Sequence, residues 1–257
     1  MSANAKTAVI SGGAGGLGRA LAKALQGSGW RTLLIDVDVA GLETNSAQLP
    51  IACDLTDARA RTEVFERILA SESSIDLVVY NAGITQIGPF ADSAEAAHRK
   101  VFEINYFAAV EMARAFLPAI RASKGTHLAI SSVAGFTPLY HRTAYAASKH
   151  ALEGFFNSLR SEEAPHGVRT LIAAPSFVAT NIGNAGLQPD GTARPGSAGD
   201  GVDYMTPDAA AAIILRGLER GAPMIPVGRV ARLAWIVNRL SPRLYQRLME
   251  RNIRKKG

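Results

Sequence analysis

Short apolar runs alternate along the chain with longer stretches in which apolar side chains recur every three or four residues. The runs Thr7–Ile10, Thr32–Ile35, Leu77–Tyr80, His127–Ser131, Thr170–Ala174 and Met224–Val227 are largely apolar at consecutive positions, the pattern of strands buried on both faces. Helical spacing predicts helices near Leu17–Gly27, Ala58–Ala70, Val101–Ala122, Ala144–Ala164 and Pro207–Arg220. This alternation predicts an α/β protein with a Rossmann-like, doubly wound parallel sheet in three α/β/α layers. The expected organisation is one domain over residues 1–227 and a helical tail over 228–257. Gly183–Asp203 interrupts the pattern with six glycines, two prolines and no apolar periodicity. It predicts a long flexible loop, bounded at about 181–205.

Composition narrows the class. With 257 residues and 47% hydrophobic content the chain can bury one large core, and a charged fraction of 19% without polar tracts excludes wholesale disorder. The net charge of +6 is unevenly spread: from Gly228 to Gly257 nine Lys/Arg face one acid, Glu250, so the tail carries +8 and the remainder −2. In the tail, Leu233, Ile236, Val237 and Leu240 lie at helical spacing, and Leu244, Leu248 and Ile253 alternate with arginines. Three readings fit: packing on the body to close a pocket, a subunit contact, or a peripheral contact with an anionic membrane. Packing or contact is preferred, because a packed helix can also carry a charged outer face. Without aromatic interleaving, nucleic acid is not an expected partner. No apolar run is long enough to span a bilayer and no signal segment is evident, which makes a cytoplasmic protein the expectation, with membrane association through the tail as its variant. Cys53, the sole cysteine, reads as a small buried residue. His98, His127, His141, His150 and His166 show no metal-ligand spacing, so no metal is expected, and they read as surface or loop groups.

Chemistry concentrates in three places. The first strand runs into Ser11-Gly12-Gly13-Ala14-Gly15-Gly16-Leu17-Gly18, and a helical pattern starts at once with Leu17. Glycines allow a tight turn and a close approach to a pyrophosphate, which the helix N-terminus favours. The second strand ends at Asp36, whose carboxylate suits two ribose hydroxyls and repels a 2′-phosphate. Arg31 lies at the wrong end of that strand and Val37 is not basic, so NAD is expected over NADP. Tyr145 and Lys149, four apart, share one helix face. An ammonium there is expected to lower the phenol's pKa and fit it for proton transfer at a carbonyl or alcohol oxygen. Ser131-Ser132 ends a strand at the edge where such sheets hold ligands.

Taken together these motifs resemble the classical short-chain dehydrogenase/reductase (SDR) family over residues 6 to 227. The glycine motif is matched by Ser11, Gly12, Gly16 and Gly18, the Asp-Leu pair at the adenine by Asp54-Leu55, and the Asn-Ala-Gly by Asn81-Ala82-Gly83. The helix asparagine is matched by Asn105, the serine by Ser132, and Tyr-x-x-x-Lys by Tyr145 and Lys149. Three positions depart: Ser11 stands for the usual Thr, Tyr80 for the first of two asparagines, and Pro175-Ser176 for Pro-Gly. The resemblance implies that Tyr145 is the general acid/base, that Lys149 lowers its pKa and binds the nicotinamide ribose, and that Ser132 holds the substrate oxygen. It further implies that Asn105 supports a proton-relaying water, that Thr180 bonds the nicotinamide carboxamide, and that Leu17, Pro175 and Val178 lie along the cofactor. Ser131 reads as a strand-end residue on the other face. Tyr140 and His141, between Ser132 and Tyr145, are candidates for the pocket wall, and the 181–205 loop for its cover. The implied activity is NAD-dependent interconversion of a secondary alcohol and a ketone on a lipophilic substrate, by a homo-dimer or homo-tetramer. A 3-oxoacyl-type reductase and a non-catalytic NAD-binding sensor or scaffold are the alternatives.

Overall fold

The computed structural model describes residues 5–180, 187–193 and 204–254. Among them the elements run β1 (Thr7–Ser11), α1 (Gly16–Gln26), β2 (Arg31–Asp36), β3 (Gln48–Ala52), α2 (Ala58–Ser71), β4 (Leu77–Tyr80), β5 (Thr85–Gln86), α3 (Glu95–Phe102), α4 (Ala108–Ser123), β6 (Thr126–Ile130), α5 (Thr143–Glu163), β7 (Arg169–Pro175), β8 (Thr192–Ala193), α6 (Pro207–Glu219), β9 (Met224–Val227), α7 (Arg229–Leu240) and α8 (Pro242–Arg254). Seven strands form one parallel sheet in the order β3-β2-β1-β4-β6-β7-β9. From β1 the chain winds outward to β3, then returns to lay β4 on the other side of β1. That reversal opens a crevice beyond the carboxyl ends of β1 and β4.

The strand sequences lack a polar face because each strand feeds two cores. Val9, Leu33 and Ile35 pack with Met112, Phe116 and Phe156 on one face of the sheet. Their neighbours Ile10 and Leu34 pack with Leu17, Leu21, Leu25 and Ile214 on the other. This is the doubly wound three-layer arrangement that the alternation predicts. Helix starts are set locally: the Asp57 carboxylate accepts from the backbone N–H groups of Arg59 and Ala60 at the head of α2, and the Thr206 hydroxyl accepts from Ala209 before Pro207 opens α6.

Four features differ from the sequence expectation. Strand β3 has no apolar run to announce it; its sequence QLPIA is exposed at its last residue and interrupted by Pro50. Proline is tolerated because β3 is an edge strand paired with β2 alone, and β9 at the opposite edge likewise contains Pro226. The helix expected from Val101 starts at Glu95 and continues through a π-helical turn, Glu103–Phe107, into α4. The expected structureless loop contains a turn over 187–193 whose β8 pairs antiparallel with β5. The rest of that loop, 181–186 and 194–203, lies outside the described residues. In the tail, Ser241-Pro242 separates α7 from α8.

The fourth difference is His127, which is not a surface group. It sits fully buried in β6, with Nδ1 2.6 Å from the Tyr80 hydroxyl of adjacent β4. Desolvation holds its pKa down at about 4, only partly offset by the Glu163 carboxylate. The unfolded chain therefore takes up a proton near the ordinary value of 6.5 while the fold refuses it until about 4. Stability contributed by the neutral imidazole is complete above 6.5 and is lost as pH falls through that window. Compared by urea unfolding at about pH 7 and about pH 4.5, the protein should lose about 2 kcal/mol more than His127→Gln, which lacks the titrating ring. Equal losses would contradict this account.

Candidate active site

The crevice beyond β1 and β4 holds a cavity of about 320 Å³. Its floor is the glycine turn. Gly12 has a φ of +64°, and a Cβ there would lie 2.8 Å from the Ala82 Cα; only glycine lets this backbone pass so close. The Ser11 hydroxyl donates to the Val79 carbonyl and accepts from the N–H groups of Asn81 and Ala82 at 3.0 and 3.1 Å. The Asn81 amide donates in return to the carbonyls of Ser11 and Gly12 at 3.1 and 2.9 Å. Ser11 and Gly18 do not line the cavity; they hold its floor. A Cβ on Gly18 would collide with the Gly12 carbonyl, so α1 can rest on the turn only through a bare backbone.

Helix α1 opens into this cavity through Gly16 and Leu17. Its N-cap, Gly15, makes no side-chain cap bond, and its first turn carries no acid. The first N–H groups of the helix, with their positive dipole end, thus remain available to an anion. At the end of β2, Asp36 lines the cavity and one carboxylate oxygen accepts from the Ala14 N–H at 2.9 Å. The next residue, Val37, is 62% exposed. Arg19, which no motif marks, donates to the Ala14 carbonyl at 2.8 Å and to that of Gly41 at 3.1 Å, and the N–H of the same Ala14 donates to Asp36. Asp54 and Leu55 line the far end beside buried Cys53. The Asp54 carboxylate is shaped by Thr56, whose N–H and hydroxyl both donate to it. Ala82 and Gly83 form one wall; Pro175, Val178 and Thr180, following β7, form another.

The third group converges at the end of β6. Ser132 caps the 3₁₀ turn Val133–Gly135, its hydroxyl accepting from the Ala134 N–H. Tyr145 and Lys149 project from α5 into the same cavity. Lys149 is 4% exposed; its ammonium donates to the Ile130 carbonyl at 2.8 Å and lies 5.8 Å from the Tyr145 ring centre. Burial pulls its pKa down to about 8, with the Glu153 carboxylate opposing. The Tyr145 hydroxyl departs from expectation: burial pushes its pKa up, and the opposing influences are hydrogen bonding from Ser132 and the charge of Arg142. In the free protein, then, desolvation prevails, and the cation that opposes it is Arg142, not the expected Lys149.

Asn105 is not on the cavity surface. It sits in the π turn, 1% exposed, with its carbonyl accepting from the Ile84 N–H at 2.8 Å and its amide donating to the Ile84 carbonyl and the Ser148 hydroxyl, both at 2.9 Å. A wide turn of this kind turns a helix side chain inward at functional sites. Ser131 is more than a strand end, since it lines the cavity and donates to Glu153 at 2.7 Å. Tyr140 and His141 are not wall residues: they stack on each other, ring centres 3.7 Å apart, with Tyr140 54% exposed and His141 in a left-handed conformation. Their neighbours Leu139 and Arg142 line the cavity instead. Arg142 and Glu153 had no motif to mark them. Each is an ionisable residue on or before α5, and only the fold shows that both are buried beside the Tyr-Lys pair.

With this geometry established, comparison with known proteins gives concordant matches. The short chain dehydrogenase family model matches residues 6–189. Dehydrogenase/reductase SDR family member 7B of Xenopus laevis is 30% identical over 268 residues, spanning 98% of this chain and 83% of that protein. A short-chain dehydrogenase from Streptomyces avermitilis has a TM-score of 0.82 at 27% identity, over 100% of both chains. A short chain dehydrogenase from Burkholderia cenocepacia J2315, in complex with NADP, has 0.82 at 24% identity over 96% of this chain and 97% of that one, a likeness of fold. 4-Hydroxyisoleucine dehydrogenase complexed with NADH has 0.64 at 26% identity over 67% of this chain and 74% of that one.

The collision at Gly18 yields a structural test. Gly18→Ala should lower stability by about 1–3 kcal/mol as the turn is pushed off α1, and weaken binding of a nicotinamide dinucleotide measured by fluorescence titration. Unchanged melting and unchanged affinity together would contradict the assigned packing.

Proposed function

The chain belongs to the short-chain dehydrogenase/reductase family, and we propose that it is a nicotinamide-dependent oxidoreductase interconverting a secondary alcohol and its ketone, with NAD preferred and a lipophilic substrate. The observation that carries this reading is the convergence of Ser132, Tyr145 and Lys149 on the cavity into which the uncapped α1 N-terminus opens.

The donor set suits a dinucleotide. The α1 N–H groups would hold the pyrophosphate, Asp36 the adenosine ribose hydroxyls, Asp54 and Leu55 the adenine, and Lys149 with Tyr145 the nicotinamide ribose. Asn81 and Ser11 fix the turn, while Pro175, Val178 and Thr180 border the nicotinamide end. When bound, the nicotinamide ring supplies the hydride donor or acceptor. The chain's own residues handle the oxygen and its proton. Ser132 donates a hydrogen bond to the substrate oxygen, holding it where charge develops. Tyr145 gives or takes the proton. Burial disfavours a lone phenolate and a lone ammonium alike, as the opposite shifts of Tyr145 and Lys149 express. A phenolate formed beside an ammonium would be stabilised by it, so with water excluded by cofactor and substrate the two charges together are favoured over either alone. Asn105 acts by position: its amide is spent on Ile84 and Ser148, next to Gly83 and the Lys149 ammonium. Ile104, Leu139, Phe177 and Tyr204 contribute apolar surface to the remaining wall beside Arg142, which supports a lipophilic substrate with a polar end.

Arg19 supports a second reading of the cofactor. Its guanidinium bonds the carbonyl of Ala14, the residue whose N–H donates to Asp36, and would be released toward a 2′-phosphate there if it left the Gly41 carbonyl. NAD remains the preferred reading because Asp36 itself lines the cavity and Val37 is not basic.

Reduction of NAD over a panel of secondary alcohols tests the activity, and Tyr145→Phe should lower turnover by at least about 100-fold while retaining cofactor binding. Retained turnover in that variant would refute the assigned acid/base. Cofactor binding with no turnover on any alcohol or ketone would favour the sensor alternative. For the cofactor, Asp36→Ala should reduce kcat/KM for NAD far more than for NADP; parallel losses would reject the preference.

A further inference from the structure

Helix α7 packs on the body through its small side chains, with Ala231 fully buried and Ala234 6% exposed. Three of its larger apolar side chains are turned outward, while Val230, Trp235 and Val237 are half-buried. Leu233, Ile236 and Leu240 are 64%, 39% and 82% exposed, at spacings of three and four that place them on one helix face. On α8, which packs against α7, Leu244 and Leu248, one turn apart, are exposed as well. Arginines flank them: Arg229, Arg232 and Arg239 on α7, and Arg243, Arg247 and Arg251 on α8, are all exposed. A packed tail would bury the leucines and present the arginines; here both are presented together. Among the described residues no helix is long and apolar enough to cross a membrane.

We propose that the α7–α8 face is a docking surface for an anionic lipid bilayer, lying in the headgroup plane with its leucines among the acyl chains and its arginines on the phosphates. The charge decides between occupants. A second copy docking on this face would set one strongly basic surface against another, since its six exposed arginines from Arg229 to Arg251 meet one acid, Glu250, among the described residues. An anionic surface attracts each of those charges, while exposed leucines beside them gain by leaving water. The apolar side chains alone would suit either occupant; the arginines select the lipid. The same helix holds the active-site side of the fold: the Asn238 amide donates to the Phe136 carbonyl at 2.6 Å, four residues after Ser132. Docking would therefore bring the bilayer up to the element next to the cleft.

The test is co-sedimentation of the full-length protein with vesicles of phosphatidylcholine alone and of three parts phosphatidylcholine to one part phosphatidylglycerol. Binding is expected to the anionic vesicles, with little to the neutral ones and marked loss in high salt. Each basic side chain contributes roughly fivefold to partition, so Arg243→Gln/Arg247→Gln/Arg251→Gln should weaken binding roughly 100-fold. Leu240→Ser/Leu244→Ser should also release the protein, with circular dichroism confirming an intact fold. Equal binding to both vesicle types, or binding that neither variant weakens, would overturn the proposal. So would absence of lipid binding together with a dimer that the leucine variant splits, which assigns the face to a second copy.

Discussion

The cleft exists because two stretches of backbone, the turn after β1 and the loop after β4, can lie almost in contact. A left-handed Gly12 against Ala82, and a bare Gly18 against Gly12, remove the atoms that would hold them apart. Ser11 and Asn81 then bind the two stretches with a set of side-chain to backbone hydrogen bonds. Everything else follows from that contact. It fixes where α1 begins, aims its first N–H groups into the crevice, and brings Gly83 to within reach of the Lys149 ammonium. Strand order supplies the crevice, and this contact gives it a floor.

The chemistry of the cleft is governed by desolvation more than by neighbouring charge. Tyr145 and Lys149 are both driven toward their neutral forms, in opposite directions on the pH scale. The carboxyl of Glu153, one helical turn further along α5, is likewise pushed up by burial while Ser131 bonds to it. Gly135 passes so close to Glu153 and Ser131 that a side chain at that position would strike both. The strand end that presents Ser132 is therefore pinned from behind by a buried carboxyl on the same helix that carries the Tyr-Lys pair. Relative placement of the three side chains depends on one helix and one strand end, not on a loop.

Much of this was legible in the sequence. Doubly apolar strands and four-residue leucine spacing announced the sheet and α1, because buried parallel strands and amphipathic helices have distinct periods. The glycine turn, Asp36, Ser132, Tyr145 and Lys149 were legible because spacing along a strand–turn–helix unit is local. What was not legible is set by tertiary contact. β3 is held by pairing with β2 rather than by its own apolar content. His127 and Glu153 look like surface residues until Tyr80 and Ser131 are placed against them. The π turn that aims Asn105 inward leaves no compositional mark, and the buried Arg142 beside the half-buried His141 follows a left-handed kink that side-chain identity does not specify.

The two prolines at the sheet margins have a consequence of their own. Pro50 lies in β3 and Pro226 in β9, the outermost strands. A ring nitrogen replaces an N–H on each rim, so an incoming extended segment would find the ladder broken at either end. Strand-by-strand growth into ribbons or fibrils is thereby disfavoured on both sides at once, and assembly between copies is left to helical surfaces. A protein with so many doubly apolar strands would otherwise present two adhesive borders whenever its rim was exposed during synthesis.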